Sequence, residues 1–228
     1  DDIVFTNQQS LTVAFQANVD SDGGYILTRY ENGNAANSNF TIGFNDTDND
    51  GFCTIAVIGR GDGGENYEIN DINCNETNIF YVVFGDNDYN VKVYLNNSLI
   101  GQTNRNVNSS PSTEPLYIGR IGDNNNAGFF NGTINQIKTW NTALTLEQIQ
   151  NIDNNDEYLS SYYKFNTGEG EALYDHSGNQ NHGEINGATW VENIYGCTDI
   201  LATNYNTEAD FDDGSCTYPE NGDYSLSF

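Results

Sequence analysis

The stretch LTVAFQANV, residues 11 to 19, decides the fold class of this chain. Its odd positions, from Leu11 to Val19, are all apolar, whereas its even positions carry small or polar residues such as Gln16 and Asn18. Successive side chains of a β-strand point to opposite faces, so a period of two marks a strand with one buried face. The stretch therefore predicts a half-buried β-strand.

Similar alternation recurs along most of the chain. It predicts further short strands at about 24–30, 39–44, 52–58, 79–84, 89–95, 115–119, 133–140 and 158–165. Clusters of Gly, Asn and Asp separate these segments, as tight turns require. Many short strands at regular spacing predict an all-β fold, either an antiparallel sandwich or a barrel.

One short helix is expected at about 145–152. Thr145 and Gln148 fit a capping box, and Leu144, Leu146 and Ile149 supply an apolar side. We expect this helix to close one end of the sandwich. Trp140 lies in register with Ile134 and Ile137 of the strand predicted at 133–140, and is interpreted as a core residue rather than a sugar-stacking platform.

Composition limits the possible partners. The 228 residues include 33 acidic and seven basic ones, for a formal net charge of -26. Nucleic acid is excluded as a partner, because too few cations are present to neutralise phosphates. The carboxylates have two interpretations, a solvated surface or sites for divalent cations. Neither a membrane-spanning apolar stretch nor a signal peptide is present, so we expect an excerpted or mature segment without membrane insertion.

The four cysteines fall into two pairs along the sequence, Cys53 with Cys74 and Cys197 with Cys216. An even count, the lack of a CxxC pair and the scarcity of nearby Lys and His favour disulfides over zinc or redox chemistry. Disulfides persist in oxidising compartments, so we expect an extracellular or cell-surface protein.

Residues 129–152, FFNGTINQIKTWNTALTLEQIQNI, resemble the closing strand and helix of laminin-G-like, concanavalin-A-like jelly-roll domains. In that family a Gly-x-Ile-x-x-Ile/Val-x-x-Trp strand leads to an Ala-Leu-Thr/Ser-x-Glu-Glu/Gln-Ile helix. The apolar positions are occupied here by Ile134, Ile137, Trp140, Leu144 and Ile149. The resemblance implies an antiparallel jelly-roll sandwich.

Two further segments resemble the same family. Residues 79–103 are similar to its central hairpin, although Ile79 and Asn97 stand where the family often has Trp and Gly. Residues 162–190, YYKFNTGEGEALYDHSGNQNHGEINGATW, resemble a block that accompanies these domains in secreted bacterial proteins. Four of its glycines, Gly168, Gly170, Gly178 and Gly183, are expected at tight turns with positive φ.

The tail is expected to be a separate module. Residues 196–216, GCTDILATNYNTEADFDDGSC, resemble a short module of multidomain surface proteins in Bacteroidota-type bacteria, where it commonly joins one laminin-G-like domain to another. The resemblance implies a sandwich at 1–193, a disulfide-stapled linker module at 194–218 and the first strand of a further repeat at 219–228.

The two ends of the chain look like halves of one β-hairpin. YSLSF (224–228) resembles a first strand, and DDIVF (1–5) resembles the second strand of such a domain. We therefore expect one period of a tandem array. Tyr224, Leu226 and Phe228 would form an inter-repeat strand that pairs with the adjacent copy by strand addition.

Three groups of oxygen ligands are candidates for Ca²⁺. Asp46, Asp48 and Asp50 begin an EF-hand-like loop, but Val57 stands where its bidentate Glu belongs, and a hairpin turn is the alternative. Asp175 and Asn179 lie in the loop DHSGNQNHG, where hydrogen bonds to the backbone are the alternative. The third group, in the tail, comprises Asp199, Asn204, Asn206, Asp210, Asp212 and Asp213. Asx-turns in solvated loops are the alternative there.

Catalytic groups are not evident in the sequence. A jelly-roll hydrolase or lyase needs paired carboxylates on one strand face, and the nearest string, Glu68 with Asp71 and then Glu76, lacks that spacing. His176 and His182 have neither a Ser-His-Asp nor a zinc context. We therefore expect a non-catalytic protein.

Three functional hypotheses remain. The first is a repeat unit of a long extracellular adhesin or filament, joined to adjacent copies of itself. The second is a carbohydrate-binding module, motivated by the family resemblance and by 15 Tyr among many Asn and Asp, with a glycan or cell-surface polysaccharide as partner. The third, a jelly-roll glycoside hydrolase or lyase, is disfavoured by the missing carboxylate pair.

Overall fold

A computed structural model describes residues 10–20, 23–29, 40–45, 51–59, 65–74, 76–85, 88, 90–105, 115–121, 128–152, 157–209 and 211–219. The chain divides into two compact units, Asp1–Ala188 and Thr189–Phe228. The first ends a few residues before the predicted limit of the sandwich at 193, and the predicted boundaries at 193 and 218 stay predictions. No helix in the described parts of the chain is long and apolar enough to cross a bilayer.

In the ranges given above, the first unit contains thirteen strands and one helix. The strands are β1 (Leu11–Val19), β2 (Gly24–Arg29), β3 (Phe40–Asn45), β4 (Phe52–Gly59), β5 (Asn66–Asn73), β6 (Asn78–Phe84), β7 (Val91–Leu95), β8 (Ser98–Thr103), β9 (Tyr117–Ile118), β10 (Gly132–Trp140), β11 (Leu159–Tyr163), β12 (Ala172–Leu173) and β13 (Gly183–Glu184). The helix is α1 (Leu146–Gln150).

Two antiparallel sheets form the body of this unit. The six-stranded sheet has the order β11-β10-β1-β6-β7-β8, and the five-stranded sheet has the order β5-β4-β3-β2-β9. This arrangement confirms the predicted all-β antiparallel sandwich. The strand β1 is central in its sheet, paired with β10 on one side and β6 on the other.

The core is made by the alternating apolar residues predicted in β1 and by their counterparts in the other sheet. Phe15 stacks on Phe80 with ring centroids 5.1 Å apart, and Phe44 of β3 meets both rings edge-on, at 6.1 and 5.2 Å. All three side chains are buried. Burial of each such ring contributes roughly 1.5–3 kcal/mol, so this aromatic cluster is a large part of what holds the sheets together.

Polarity concealed the strand β5 from sequence analysis. Its segment NYEINDIN is mostly exposed, yet Tyr67 and Ile69 pack on the core and Ile72 is buried. Pairing with β4 satisfies its backbone, and a disulfide links Cys53 of β4 to Cys74, the residue that follows β5. Tertiary contacts therefore outweigh a weak local preference.

The turn between β7 and β8 explains the departure from the family pattern at Asn97. Asn96 and Asn97 both have positive φ, 47° and 65°, as a two-residue type I′ hairpin requires. Asn96 Oδ1 accepts the Ile79 N–H at 3.0 Å, and its Nδ2 donates to Asn78 Oδ1 at 2.9 Å. The side-chain bonds of Asn96 tie this turn to β6.

The helix α1 begins where the sequence predicts. Thr145 is its N-cap, and the capping box with Gln148 is formed in both directions. Ile149 of the helix and Trp140 of β10 are fully buried in a second apolar cluster, which also contains Tyr81 and Tyr94. This cluster lies on the side of the six-stranded sheet opposite the main core. Trp140 is buried as predicted, but on the opposite face from Ile137, and α1 covers part of the outer side of the sheet rather than one end of the sandwich.

After β11 the chain folds around the buried carboxylate of Asp175. Its Oδ1 accepts the N–H groups of Tyr162 (2.8 Å) and Ser177 (2.9 Å). Its Oδ2 accepts the Ser177 hydroxyl (2.8 Å) and the Asn181 N–H (3.0 Å). One side chain therefore fixes the path of the loop against β11.

The electrostatics of this loop follow from those contacts. Burial raises the pKa of Asp175, but hydrogen bonds led by the Ser177 and Tyr162 N–H groups outweigh it and hold the pKa below its ordinary value. Burial, reinforced by the charge of Asp175, raises the pKa of Tyr163 to about 12. The Tyr163 hydroxyl stays protonated and donates to Asn181 O at 2.6 Å.

The glycines of this block behave mostly as expected. Gly168, Gly170 and Gly178 have φ of 72°, 85° and 92°. Gly183 is the exception, because it lies in β13 and packs beside Leu173. The expectation of positive φ is wrong at that position, and a Cβ there would make only ordinary van der Waals contact with Leu173, at 3.5 Å or more.

The second unit is held by few regular elements. It contains the strands β14 (Tyr195–Gly196) and β15 (Phe211–Asp212), which pair in parallel. The rings of Tyr195 and Phe211 lie 5.5 Å apart. The disulfide between Cys197 and Cys216 closes the unit, so both disulfides join the cysteines paired in the sequence.

Replacing Asp175 with Asn should destabilise the first unit by about 1–3 kcal/mol at neutral pH, because an amide nitrogen would face donors that now bind a carboxylate oxygen. Since the folded pKa lies below the unfolded one, the stabilisation is present above an ordinary Asp pKa of ~3.9 and is lost as pH falls through the folded value. Urea unfolding of both proteins between neutral and acid pH measures this difference.

Glu184→Gln is the matched control, because it removes one negative charge from an exposed side chain of the same block. We expect it to leave the free energy of unfolding unchanged within 0.5 kcal/mol or so. Equal stability of the Asp175→Asn variant and the wild type at neutral pH would contradict the role given to Asp175.

Candidate functional site

A groove of about 530 Å³ lies on the outer face of the six-stranded sheet. Its lining comes from β1, β6, β10 and β11, from the β7–β8 turn, and from the end of α1 and the residues that follow it. The lining residues that matter most are Gln16, Tyr81, Gln136, Lys138, Trp140 and Tyr162. This volume is in the range of small-ligand sites.

Strand register places these residues in rows. Tyr162 of β11 is opposite Lys138 of β10, Lys138 is opposite Ala14 of β1, and Ala14 is opposite Tyr81 of β6. The small Ala14 side chain lies between larger neighbours, so the sheet surface is lowest at β1. In the adjacent row Gln16 is opposite Gln136.

The second row provides polar groups in the floor of the groove. Gln136 Nε2 donates to Gln16 Oε1 at 3.0 Å, and the Tyr162 hydroxyl donates to Gln136 Oε1 at 3.5 Å. The Gln16 amide nitrogen has no hydrogen-bond partner among the described residues. Amide and hydroxyl groups on a partly apolar floor can bind a polar ligand that also has apolar faces, such as a sugar ring.

Basic groups surround the ring of Tyr162 at one end of the groove. Lys138 Nζ is 4.5 Å and Lys164 Nζ is 5.2 Å from the ring centroid. The ring of His176 is 6.3 Å away, and its backbone N–H donates to Tyr162 O at 2.7 Å. Tyr162 is partly buried and Lys164 is exposed, so this end of the groove is open to solvent.

None of the described residues that line the groove carries a carboxylate. The carboxylates considered from the sequence lie elsewhere: Glu68 and Asp71 are on β5 of the other sheet, and Glu76 Oε1 accepts from Asn73 Nδ2 at 2.8 Å. The structure therefore does not bring them to the groove. A glycosidase site would need two such groups beside the bond to be cleaved.

The polar side chains of the Asp175 loop form hydrogen bonds to the backbone, which is the alternative to calcium binding considered from the sequence. Both carboxylate oxygens of Asp175 accept two hydrogen bonds each within the loop. Asn179 uses its Nδ2 to donate to Leu159 O and Ser160 O, at 2.9 and 3.1 Å. His182 Nδ1 accepts the Asp175 N–H at 3.0 Å. These contacts account for the polar residues of the loop, and calcium at Asp175 and Asn179 stays a prediction.

The candidate ligands of the second unit are spread over several turns. Asp199 Oδ1 accepts the Leu201 N–H and its Oδ2 accepts the Tyr218 hydroxyl, at 2.8 and 2.6 Å. The bond from Tyr218 is the main cause that lowers the pKa of Asp199, followed by the Leu201 N–H. Asn204 Oδ1 accepts the Thr217 N–H at 2.7 Å.

The remaining ligands form Asx-type contacts. Asn206, Asp212 and Asp213 accept N–H groups two residues ahead, at 3.0, 3.1 and 2.8 Å. Side-chain and backbone bonds from Ser215 lower the pKa of Asp213. Within the described parts of the chain, no group of three or more His, Cys, Asp or Glu is arranged to hold a metal ion.

Several predicted residues lie outside the described residues. They are Asp46, Asp48 and Asp50 of the EF-hand-like loop, Asp210 of the tail, and Tyr224, Leu226 and Phe228 of the inter-repeat strand. The pairing of DDIVF with YSLSF likewise concerns undescribed residues and stays a prediction.

Apart from Trp140, which the sequence assigned to the core, the main groove residues are not evident from the sequence. Gln16, Gln136 and Lys138 occupy alternate positions opposite the buried ones on their strands, which is the signal that they share the outer face. Alternation gives the face of one strand, but it does not say which strands are neighbours. That β10 and β11 lie beside β1 is information that only the topology supplies.

Comparison with known proteins agrees with the fold. The model of the concanavalin A-like lectin/glucanases superfamily matches residues 1–150. No match was found among curated proteins. The resemblance of residues 196–216 to a linker module lies outside the matched range and stays a prediction.

Two solved structures illustrate the likeness. A proposed carbohydrate-binding protein from Bacteroides ovatus is 20% identical, with a TM-score of 0.60, over 80% of this chain and 53% of that one. The native heptameric SAP-like pentraxin of Limulus polyphemus is 19% identical, with a TM-score of 0.50, over 65% of this chain and 71% of that one.

The chain thus spans about half the length of the Bacteroides ovatus protein. At these identities the similarity concerns the fold alone. The family match, in contrast, covers more than half of the chain and confirms the laminin-G-like resemblance. The protein belongs to the concanavalin A-like lectin/glucanases superfamily.

Proposed function

We propose that the first unit is a non-catalytic carbohydrate-binding module and that the outer groove of the six-stranded sheet is its binding site. The observation that carries the proposal is the combination of aromatic, amide and ammonium groups in one open groove. Sugars present both apolar ring faces and many hydroxyl groups, so such a surface complements them.

Three further observations support the proposal. The described lining residues of the groove include no Asp or Glu, whereas retaining and inverting glycosidases use a carboxylate pair. The Bacteroides ovatus protein with a similar fold is a proposed carbohydrate-binding protein. The two disulfides favour an oxidising, extracellular location for the module.

The adhesin hypothesis is compatible with this proposal. A separate second unit closed by its own disulfide follows the sandwich, as expected of a linker between domains. We propose that the module is displayed in a chain of similar units at the cell surface, where repeated weak sites would add avidity. Strand addition between copies remains the proposed means of joining them.

Replacing Gln136 with Ala should weaken glycan binding about two- to tenfold, because it removes one neutral hydrogen-bonding group and frees its partner Gln16. A glycan array identifies a ligand for the wild type, and isothermal titration calorimetry then gives the dissociation constants.

Gln102→Ala is the matched control. Gln102 is an exposed Gln on β8 of the same sheet, outside the groove, so its removal should leave affinity unchanged. Thermal melts verify that both variants fold. Equal loss of affinity in both variants, or none in either, would place the binding site elsewhere.

We further propose, as the sequence predicts, that the second unit binds Ca²⁺. Asp199, Asp212 and Asp213 lie within one short disulfide loop, and Asp212 Oδ2 has no hydrogen-bond partner among the described residues. The described residues contain no group of three or more His, Cys, Asp or Glu that could hold a metal ion. A calcium site here would therefore need amide and carbonyl oxygens as ligands besides the carboxylates.

A cation that binds only the folded state adds about 2.7 kcal/mol at 100 times its dissociation constant. Melting in calcium should therefore occur at a higher temperature than melting in EGTA, and the difference should shrink in Asp213→Asn but persist in the control Glu208→Gln. Identical melts in calcium and EGTA would remove calcium from the proposal.

A further inference from the structure

The distribution of basic residues in this chain is uneven in a way that concerns the groove. The sequence has seven Lys and Arg and two His against 33 acidic residues. Three of these nine, Lys138, Lys164 and His176, surround the single ring of Tyr162. Basic residues are thus concentrated around Tyr162, although the protein as a whole is strongly acidic.

The side chains of Lys138 and Lys164 are available to a ligand. Among the described residues, no carboxylate forms an ion pair with Lys138 or Lys164, and both ammonium groups lie over the Tyr162 ring. A cation–π contact stabilises a cation without neutralising it. Each amine has three hydrogen-bond donors and no acceptor, so both can still bind an anion.

The nearby carboxylate of Asp175 is already engaged. It accepts four hydrogen bonds from Tyr162, Ser177 and Asn181 within its own loop. It is therefore held by N–H and O–H donors of the loop and forms no ion pair with either lysine. The carboxylate of Asp175 therefore does not neutralise the positive charge of Lys138 and Lys164.

We infer that the groove binds an anionic glycan and that an acidic group on the sugar sits beside Tyr162, between Lys138 and Lys164. This inference rests on the proposed function of the groove. The two ammonium groups over the Tyr162 ring supply the positive charge, and the imidazole of His176, 6.3 Å from the same ring, can form a hydrogen bond to the ligand. The shared chemistry is a negatively charged substituent, supplied either by a uronic acid or by a sulfate ester.

The charge of the rest of the protein sharpens this selectivity. A polyanion is repelled by a chain of net charge -26, so non-specific adsorption to the surface is disfavoured. Binding must then come from the few residues where the sign is reversed. Removing either Lys138 or Lys164 should therefore lower the affinity for an anionic glycan more than removal of a surface charge usually does.

The test compares matched oligosaccharides by isothermal titration calorimetry. One pair is tetragalacturonate and its methyl ester, and the other is a sulfated galactan tetrasaccharide and its desulfated form. We expect at least one acidic member to bind about tenfold or more tightly than its neutral partner, and which pair responds tells carboxylate from sulfate.

Variants locate the effect. Lys138→Gln and Lys164→Gln should each weaken binding of the acidic sugar about tenfold and reduce the preference over its neutral partner. Lys138→Arg keeps the charge and should keep most of the affinity. Lys92→Gln removes a lysine from β7 of the same sheet, away from the groove, and should have no effect.

The outcomes separate this inference from the function on which it rests. Equal affinity for acidic and neutral partners, or affinity unchanged by Lys138→Gln and Lys164→Gln, overturns the anionic specificity. If neutral glycans bind and Gln136→Ala weakens them, carbohydrate binding still stands. If neither pair binds and a glycan array gives no ligand, both proposals are wrong.

Discussion

The structure depends on the alternation of side chains between the two faces of β1. Its odd positions fill the space between the sheets, where Phe15 meets Phe80 and Phe44. Its even positions are therefore obliged to face the other way, and two of them, Ala14 and Gln16, form the floor of the groove. A one-residue shift in register would exchange the two sets and destroy core and groove together.

The outer face of the six-stranded sheet serves two purposes. At one end α1 covers it, and Ile149 packs with Trp140 in a second apolar cluster. At the other end the sheet stays open, and Lys138, Tyr162 and the Gln pair are accessible. The helix thus provides a wall, and the closing loop built on Asp175 fixes β11 and the residues beside it through the Tyr162 N–H. The position of Tyr162 is set by a buried carboxylate that has no direct contact with a ligand in this account.

Much of the fold is predictable because local and tertiary preferences agree. Alternation gave most strands, the Thr145–Gln148 capping box gave the helix, and cysteine pairing gave the disulfides. The strand β5 was missed because only its inward residues, such as Tyr67 and Ile69, are apolar. The groove was missed for a different reason. Its residues Gln16, Gln136 and Tyr162 are far apart in the sequence. Local sequence shows that such polar residues face outward, but it does not show which strands pair and bring them together.

The most direct test of the account is to map the bound glycan by NMR. Titration of an acidic oligosaccharide into labelled protein should shift the amide signals of Gln136, Lys138 and Tyr162 and of the neighbouring residues of β1. The signals of β3, β4 and β5 in the other sheet should remain in place. Shifts confined to the five-stranded sheet or to the second unit would contradict the account, because the ligand would then lie away from the groove.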